Sequence, residues 1–380
     1  MYRAIEITGK SGIREFIKFP GKHLFGKSSP WVPPIVSEEM KRFDPNKAGF
    51  YTYGTSKLFA AVDENGRWAG RIACFVNRKY IEKSGRDEAF FGFFDALNNP
   101  EVVKVLFNAV ATELEKEGIT SLAGPVNFST NDEVGMLIHG FSTAPTFMTN
   151  YSPPFYQTLL EGLPLEPLVD LHAYDWYHNY TFPERFNRLV SNIEKRNSVT
   201  IRCADKKDFE NELDRLWPVY NESFKDVWGF TPLTKPEFDA LGYSFKPFAD
   251  FSLILIAEHE AKTVGFALVL PDINLLIKEI NGKLYPFGIF RLLARKNSIK
   301  NLRNNVLAVL PEYRNLGVAP LLIRQLVETA NARKYEKGEL SMVLDCNMQM
   351  TRLIKSLDFK PVKAFRVYRG LISNLKTSTQ

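Results

Sequence analysis

The stretch Arg314-Asn315-Leu316-Gly317-Val318-Ala319 joins a tight turn to the start of a helix, and that combination makes an anion site. Ahead of it, Val306 to Leu310 is a short apolar run, long enough for one buried strand. Behind it, Leu322, Leu326 and Ala330 recur on one helical face, and Pro320 suits the first turn, where a missing N–H costs nothing. A helix start directs unbonded backbone N–H groups and the positive end of its dipole outward. Both stabilise a phosphate or a pyrophosphate. Gly317 and Ala319 are small enough to let such a ligand approach the main chain.

A second constellation follows the apolar run Ser121 to Val126. Asn127, Ser129, Thr130, Asn131, Asp132 and Glu133 form the densest polar cluster behind any strand-like segment. Such residues can position an amine (Asn127, Ser129, Asn131) and accept its proton (Asp132, Glu133). The same spacing, Ser129 or Thr130 before Asp132 or Glu133, equally fits a helix capping box. Asp345 and Asn347 close another strand-like run, Gly338 to Asp345, and either could bond an amine; Asn347 equally fits a helix cap. Asp272 also follows a strand, where turn chemistry explains it as well.

Other chemistries are excluded. Gly21-Lys22-His23-Leu24-Phe25-Gly26-Lys27-Ser28 satisfies the P-loop pattern, but Pro30, Pro33 and Pro34 forbid the helix that must come after it. The five histidines show no metal-ligand spacing, so no metal is expected, and no Gly-x-Ser-x-Gly elbow is present.

The elements around these residues occur twice in the same order. Leu58 to Val62, the turn Asp63-Glu64-Asn65-Gly66 and Trp68 to Val76 read as a hairpin. Phe90 to Ala96 is a strand, Glu101 to Gly118 a helix and Ser121 to Val126 a strand. In the second half, Leu253 to Ala257 and Thr263 to Leu270 repeat the hairpin, and the anion-loop segment repeats the strand-helix-strand. The expected fold is α+β, with two domains, 1–178 and 179–380, each a mixed central β-sheet flanked by helices. A linker is expected near Ala173 to Pro183. In the first half the turn before the helix is Asn98-Asn99-Pro100-Glu101, without glycine, and Glu101 would repel a phosphate. No anion site is expected there.

Arg314-x-x-Gly317-x-Ala319 resembles motif A of the GNAT superfamily of acyl-CoA-dependent N-acyltransferases. Asn347, Met350 and Asp358-Phe359 are similar to the residues found after that motif in the superfamily. The resemblance implies a tandem of two GNAT-like domains, the second binding acetyl-CoA or another acyl-CoA through Leu307, Val309 and Arg314 to Ala319. It implies direct attack of a primary amine on the thioester in a ternary complex. Asp132, Glu133, Asp345 and Asn347 are then the candidate catalytic groups, and Asn127, Ser129, Asn131, Trp228 and Asp272 the candidate acceptor-binding residues. One departure stands out: Ile354 occupies the place of a Tyr that protonates the departing thiolate in many GNAT enzymes. A non-catalytic acyl-CoA-binding or scaffold protein is therefore the rival expectation. The whole chain also resembles a bacterial family of uncharacterised GNAT-like proteins. That likeness rests on Phe91 to Asp95, Gly124 to Glu133, Tyr151 to Tyr156, Trp228 to Thr234 and Leu270 to Asn274.

Composition bounds the partners. The 380 residues are 45% hydrophobic and 24% charged, as in an ordinary globular protein of two domains. A net charge of +6 is too diffuse for nucleic acid and suits an anionic co-substrate or peripheral contact with a membrane surface. Three distant cysteines form no disulfide framework, and no apolar run spans a bilayer, so a reduced, cytoplasmic protein is expected. The acceptor expected is a small-molecule or lipid-like amine. The 30 Phe fit either an aromatic core or an acyl channel.

Overall fold

The computed structural model describes residues 1–376. Strand β1 (Arg3–Glu6) and helices α1 (Gly9–His23) and α2 (Val36–Arg42) precede the hairpin β2 (Gly54–Val62) and β3 (Trp68–Asn77). Next come α3 (Arg78–Ser84), β4 (Glu88–Ala96), α4 (Pro100–Lys116), β5 (Ser121–Gly124), β6 (Met136–His139), α5 (Phe155–Glu161) and β7 (Glu166–Tyr177). α6 (Glu184–Arg196), β8 (Thr200–Cys203), α7 (Phe209–Phe224) and α8 (Lys235–Phe245) lead to the hairpin β9 (Ile254–His259) and β10 (Lys262–Pro271). α9 (Asn274–Glu279) and α10 (Gly288–Arg295) come before β11 (Asn301–Val309). The chain continues through α11 (Val318–Ala332), β12 (Lys337–Leu344), α12 (Met348–Ser356), β13 (Pro361–Leu371) and α13 (Ile372–Leu375).

These elements form two compact units. Unit 1 takes Met1–Asp170, Asn274–Ile289 and the chain from Lys363; unit 2 takes Leu171–Ile273 and Phe290–Val362. In unit 1 the strand order is β1-β2-β3-β4-β5-β13, with the start of β7 next to β13. The β2–β3 turn forms because Asp63 Oδ1 accepts from the N–H groups of Asn65 (2.9 Å) and Arg67 (2.8 Å). There β4 and β5 run parallel, joined by α4. That helix buries Val102, Leu106, Phe107, Val110 and Leu114 against Ile72, Phe91 and Leu122. Each such side chain contributes about 1.5–3 kcal/mol of burial. Tyr368, Ile372 and Leu375 complete the same core. Arg369 on β13 bonds the buried carboxylate of Glu88 (Nη2 to Oε1, 3.0 Å), which Tyr80 also bonds at 2.7 Å.

Unit 2 has the order β7-β12-β11-β10-β9-β8, using the last part of β7. Again one pair is parallel, β11 with β12, joined by α11. One apolar cluster gathers Val318, Leu322, Leu326 and Ala330 of α11 with Leu255, Ala267 and Leu302 of the sheet. A second gathers Leu213, Leu216 and Tyr220 of α7 with Ile256, Phe266 and Ala308.

The hairpins and both strand-helix-strand units stand where the sequence places them. The contiguous split at 178/179 differs from the partition into units, whose first boundary falls after Asp170 and which gives Asn274–Ile289 and the chain from Lys363 to unit 1. Ala173 to Tyr177 belong to β7 rather than to a linker, and β13 completes the sheet of unit 1. Strand exchange leaves no local signal, because an apolar strand reads the same whichever sheet receives it. The aromatic run is core: Phe90, Phe91 and Phe94 are buried, as are Phe16, Phe43, Phe75 and Phe128 around half-buried Phe93.

Candidate functional site

Parallel pairing of β11 with β12 ends at Asn304↔Leu340, yet β11 runs on to Val309. Just past that point an extra residue, Asn305, lies opposite β10, between the pairs Leu268↔Val306 and Val269↔Asn304. Such bulges re-aim backbone groups. The strands thus part where main chain of Val306 to Val309, with Leu307 and Val309 among it, faces a gap in the ladder.

β11 leads into a 3₁₀ turn, Pro311–Leu316, closed by Gly317 at φ +74°. α11 begins there without a side-chain cap. Its first internal bond runs from Leu321 N to Gly317 O (3.3 Å), so the N–H groups of Val318 and Ala319 precede the helix's own ladder. Gly317 is required twice: by its left-handed φ, and because a Cβ would collide with Ile193. Asn197 donates to Leu316 O at 2.7 Å. α6 is pinned over the region by an Arg324–Glu194 ion pair and by Arg185, which donates to Ser356 O (3.2 Å) and pairs with Asp358. The loop is therefore partly covered, with Asn315 exposed, Leu316 and Ala319 half-buried and Val318 buried. Arg314 braces the turn by donating to Ser223 O (2.8 Å) and Val309 O (3.3 Å).

Sequence reasoning missed a set of buried polar residues at the parting: Arg303, Asn304, Glu339 and Ser341. Arg303 Nε donates to Ser341 Oγ at 3.1 Å, and Arg303 lies in register with Glu339. Asn304 is 6% exposed, and its Oδ1 has no hydrogen-bond partner among the described residues. An orphan acceptor of this kind costs about 1–3 kcal/mol unless a ligand or water satisfies it. The signal was present in the sequence, since Asn301, Arg303, Asn304 and Asn305 interrupt a strand.

Asp345 and Asn347 are exposed beyond the end of β12. Asn347 caps α12, its side chain accepting from Met350 N at 3.1 Å. Ile354 is 1% exposed and packs with Leu340, Val343 and Tyr174. Tyr174, on β7, thus brings a phenol beside Ile354. Burial pushes its pKa above the ordinary value.

In unit 1, residues 127–133 form a loop closed by the Val126↔Val134 bridge and by Asn127 N to Glu133 O (3.0 Å). No helix comes after it, so the capping-box alternative fails. Ser129 Oγ instead accepts from Asn131 N (3.2 Å) and donates to Asp132 Oδ2 (3.2 Å). Arg42 of α2 joins Asp132 (3.1 Å), Glu133 (3.0 Å) and Glu39 (3.0 Å), with its guanidinium 4.9 Å from the Phe128 ring centroid. Burial is the largest influence on both carboxyls. It raises Asp132 to about 7, only partly offset by Arg42. For Glu133, the attraction of Arg42 and hydrogen bonds from Arg42 and Asn127 outweigh burial and hold it below its usual value. One carboxyl is thus poised near neutrality beside one fixed as an anion. Asn127 spends its Oδ1 on Phe93 N (2.8 Å) and its amide on Glu133 (3.2 Å).

Trp228 is half-buried in the loop between α7 and α8, and Asp272, 7% exposed, donates its N–H to Asn301 O at 2.8 Å. The two are in unit 2, whereas Asn127, Ser129, Asn131, Asp132 and Glu133 are in unit 1.

Residues 213–359 match the model of the acetyltransferase (GNAT) family. The chain is 30% identical over 371 residues to Protein YghO of Escherichia coli (strain K12), covering 96% of this chain and 94% of that one. It is 29% identical over 374 residues to a bacterial ceramide synthase of Caulobacter vibrioides (strain NA1000 / CB15N), covering 96% of each. Among solved structures, its fold is similar to that of a tandem GNAT protein from the clavulanic acid biosynthesis pathway. The TM-score there is 0.55 at 9% identity, over 98% of this chain and 99% of the other.

Proposed function

Because the chain belongs to the GNAT family of acetyltransferases, we propose that it is an acyl-CoA-dependent N-acyltransferase acting on a lipid-like primary amine. Acyl transfer is the general chemistry of that family. The observation that carries the finer reading is the parting of β11 from β12 beside the Gly317 helix start, with Asn304 Oδ1 buried and unbonded there. A lipid-like acceptor is supported by the ceramide synthase likeness, which extends over nearly the full length of both chains.

Acyl-CoA, when bound, supplies an acyl group already activated as a thioester. The N–H groups of Val318 and Ala319, with Gly317 for close approach, hold its pyrophosphate. Main chain of Val306 to Val309 aligns the pantetheine and polarises the thioester carbonyl. Asn304 Oδ1 accepts one N–H of the amine and orients its lone pair. Asp345, exposed beyond the end of β12 in the same unit, is the carboxylate proposed to take the ammonium proton. The N–C bond forms and the C–S bond breaks; Tyr174 gives its proton to the thiolate, in place of the residue replaced by Ile354, and is reprotonated through solvent by the second proton that the new amide nitrogen loses. No acyl-enzyme is invoked, and Asn347 serves as a cap.

The test is release of free CoA from acetyl-CoA and from a long-chain acyl-CoA, against primary amines of increasing chain length. Release should require an amine and be fastest with the longest. Tight CoA binding without release for any amine would favour the scaffold reading, which the apolar, buried Ile354 supports.

A further inference from the structure

β10 and β11 are antiparallel neighbours, which a two-residue hairpin can join, yet the chain inserts all of 272–300 between them. Of the 30 Phe in the chain, the two that face solvent among the described residues are Phe287 and Phe290, 71% and 68% exposed. Tyr285 is 69% exposed and Leu293 38%. All lie on α10 or in the few residues that lead into it.

Along α10, at about 100° per residue, Phe290, Leu293 and Ala294 share one exposed arc, and Arg291 and Arg295 occupy the arc beside it. Leu292, 1% exposed, faces the protein, so the helix is anchored while its outer arc stays apolar. Residues 280–300 contain Lys283, Arg291, Arg295, Lys296 and Lys300 and no Asp or Glu. Neither Lys283 nor Arg291 makes an ion pair among the described residues. No helix of the described residues is long and apolar enough to cross a membrane. Exposed aromatics beside arginines, on a short amphipathic helix with an excess of positive charge, fit the interface of an anionic bilayer. The rings would enter the acyl boundary and the arginines would meet the phosphates.

We propose that α10 and the residues leading into it dock the protein on an anionic phospholipid surface. The docking is independent of the acyl-transfer reading, because it is read by lipid binding alone. The full chain is sedimented with vesicles of equal parts phosphatidylglycerol and phosphatidylcholine, and with vesicles of phosphatidylcholine only. Binding should be strong on the first, weak on the second, and reduced by added salt. The double variant Phe290→Ser/Leu293→Ser and the single variant Arg291→Glu should each lose about tenfold or more in partitioning, with unchanged thermal melting because these side chains face solvent. Equal partitioning of variants and parent, or equal binding to both vesicles, overturns the proposal. So does self-association of the parent, seen by light scattering without lipid and abolished by Phe290→Ser, which would assign the face to a second copy of the chain.

Discussion

β4 of unit 1 and β11 of unit 2 occupy the same place in two copies of one motif, and each carries an extra residue in its pairing with the preceding strand. Around that residue, where parallel pairing ends, the two copies diverge. In unit 1, parallel pairing ends at Phe90↔Ala123, and the chain then seals its own gap: Val126 N bonds Phe91 O (2.7 Å) and Asn127 Oδ1 accepts from Phe93 N (2.8 Å). Any side chain at Gly92 would collide with Asn127. The helix start is also satisfied, since Asn99 accepts from Glu101 N (2.9 Å), Pro100 has no N–H, and Glu101 brings negative charge. In unit 2 the helix start has no side-chain cap, and an orphan acceptor lies at the parting. One copy of the motif thus fills its parting with its own loop while keeping every strand, and the other keeps an uncapped helix start and an unbonded acceptor there.

The contrast can be broken in several ways, and the largest effect is expected at Tyr174. If its phenol returns the proton to sulfur, Tyr174→Phe should lower kcat about 100-fold, the lower end for a general acid, with acyl-CoA affinity unchanged. An unaltered kcat would remove Tyr174 from the chemistry and leave protonation to water.

Next is the helix start itself. Ala319→Glu places a carboxylate where a phosphate should bind, yet suits a helix first turn and should fold. Calorimetric affinity for acetyl-CoA should fall at least tenfold, about 1.4 kcal/mol. The mirror change in unit 1, Glu101→Gln, should leave both affinity and a stoichiometry of one site per chain untouched. Two sites in the parent protein would show that the sealed copy still binds.

Asn127→Ala tests the seal. It strips the partner from Phe93 N–H and should cost about 1–3 kcal/mol in urea unfolding. A neutral result would mean that the loop merely lies over the gap.

The smallest effect concerns Asp132. Its folded pKa of about 7 lies above the unfolded value of about 3.9, so the native state holds the extra proton between them. Its contribution to stability is full below the unfolded pKa and is lost as pH rises through the folded one. Asp132→Asn should therefore gain stability relative to the parent progressively from pH 4 to pH 7. Glu39, Glu133, Ser129 and Arg42 surround it, and only Arg42 opposes this trend with positive charge.

Legibility in the sequence tracked range. The Asp63–Gly66 turn, the Pro100 helix start and the Gly317 loop depend on neighbours within a few residues, and propensity reads them directly. Arg42 meets Glu133 across 91 residues, and Arg369 meets Glu88 across 281, so no window reveals either. The carboxylates were visible as chemistry, but the guanidinium that holds one of them ionised was not. Arg303 and Asn304 were visible only as polar residues out of place in a strand, and that anomaly marked the parting.

The placement of β13 has a consequence for how the protein is made. It lies between β5 and β7 in unit 1, with Arg366 paired to Asp170 at 2.7 Å, although it is the last strand along the described residues. At roughly 5–20 residues per second, a ribosome needs about 10–40 s to travel from Asp170 to Leu371. Throughout that interval the edge of β5 lacks its partner, and an open edge is an invitation to pair with the wrong chain. Unit 1 thus starts before unit 2 along the chain and is completed only after it.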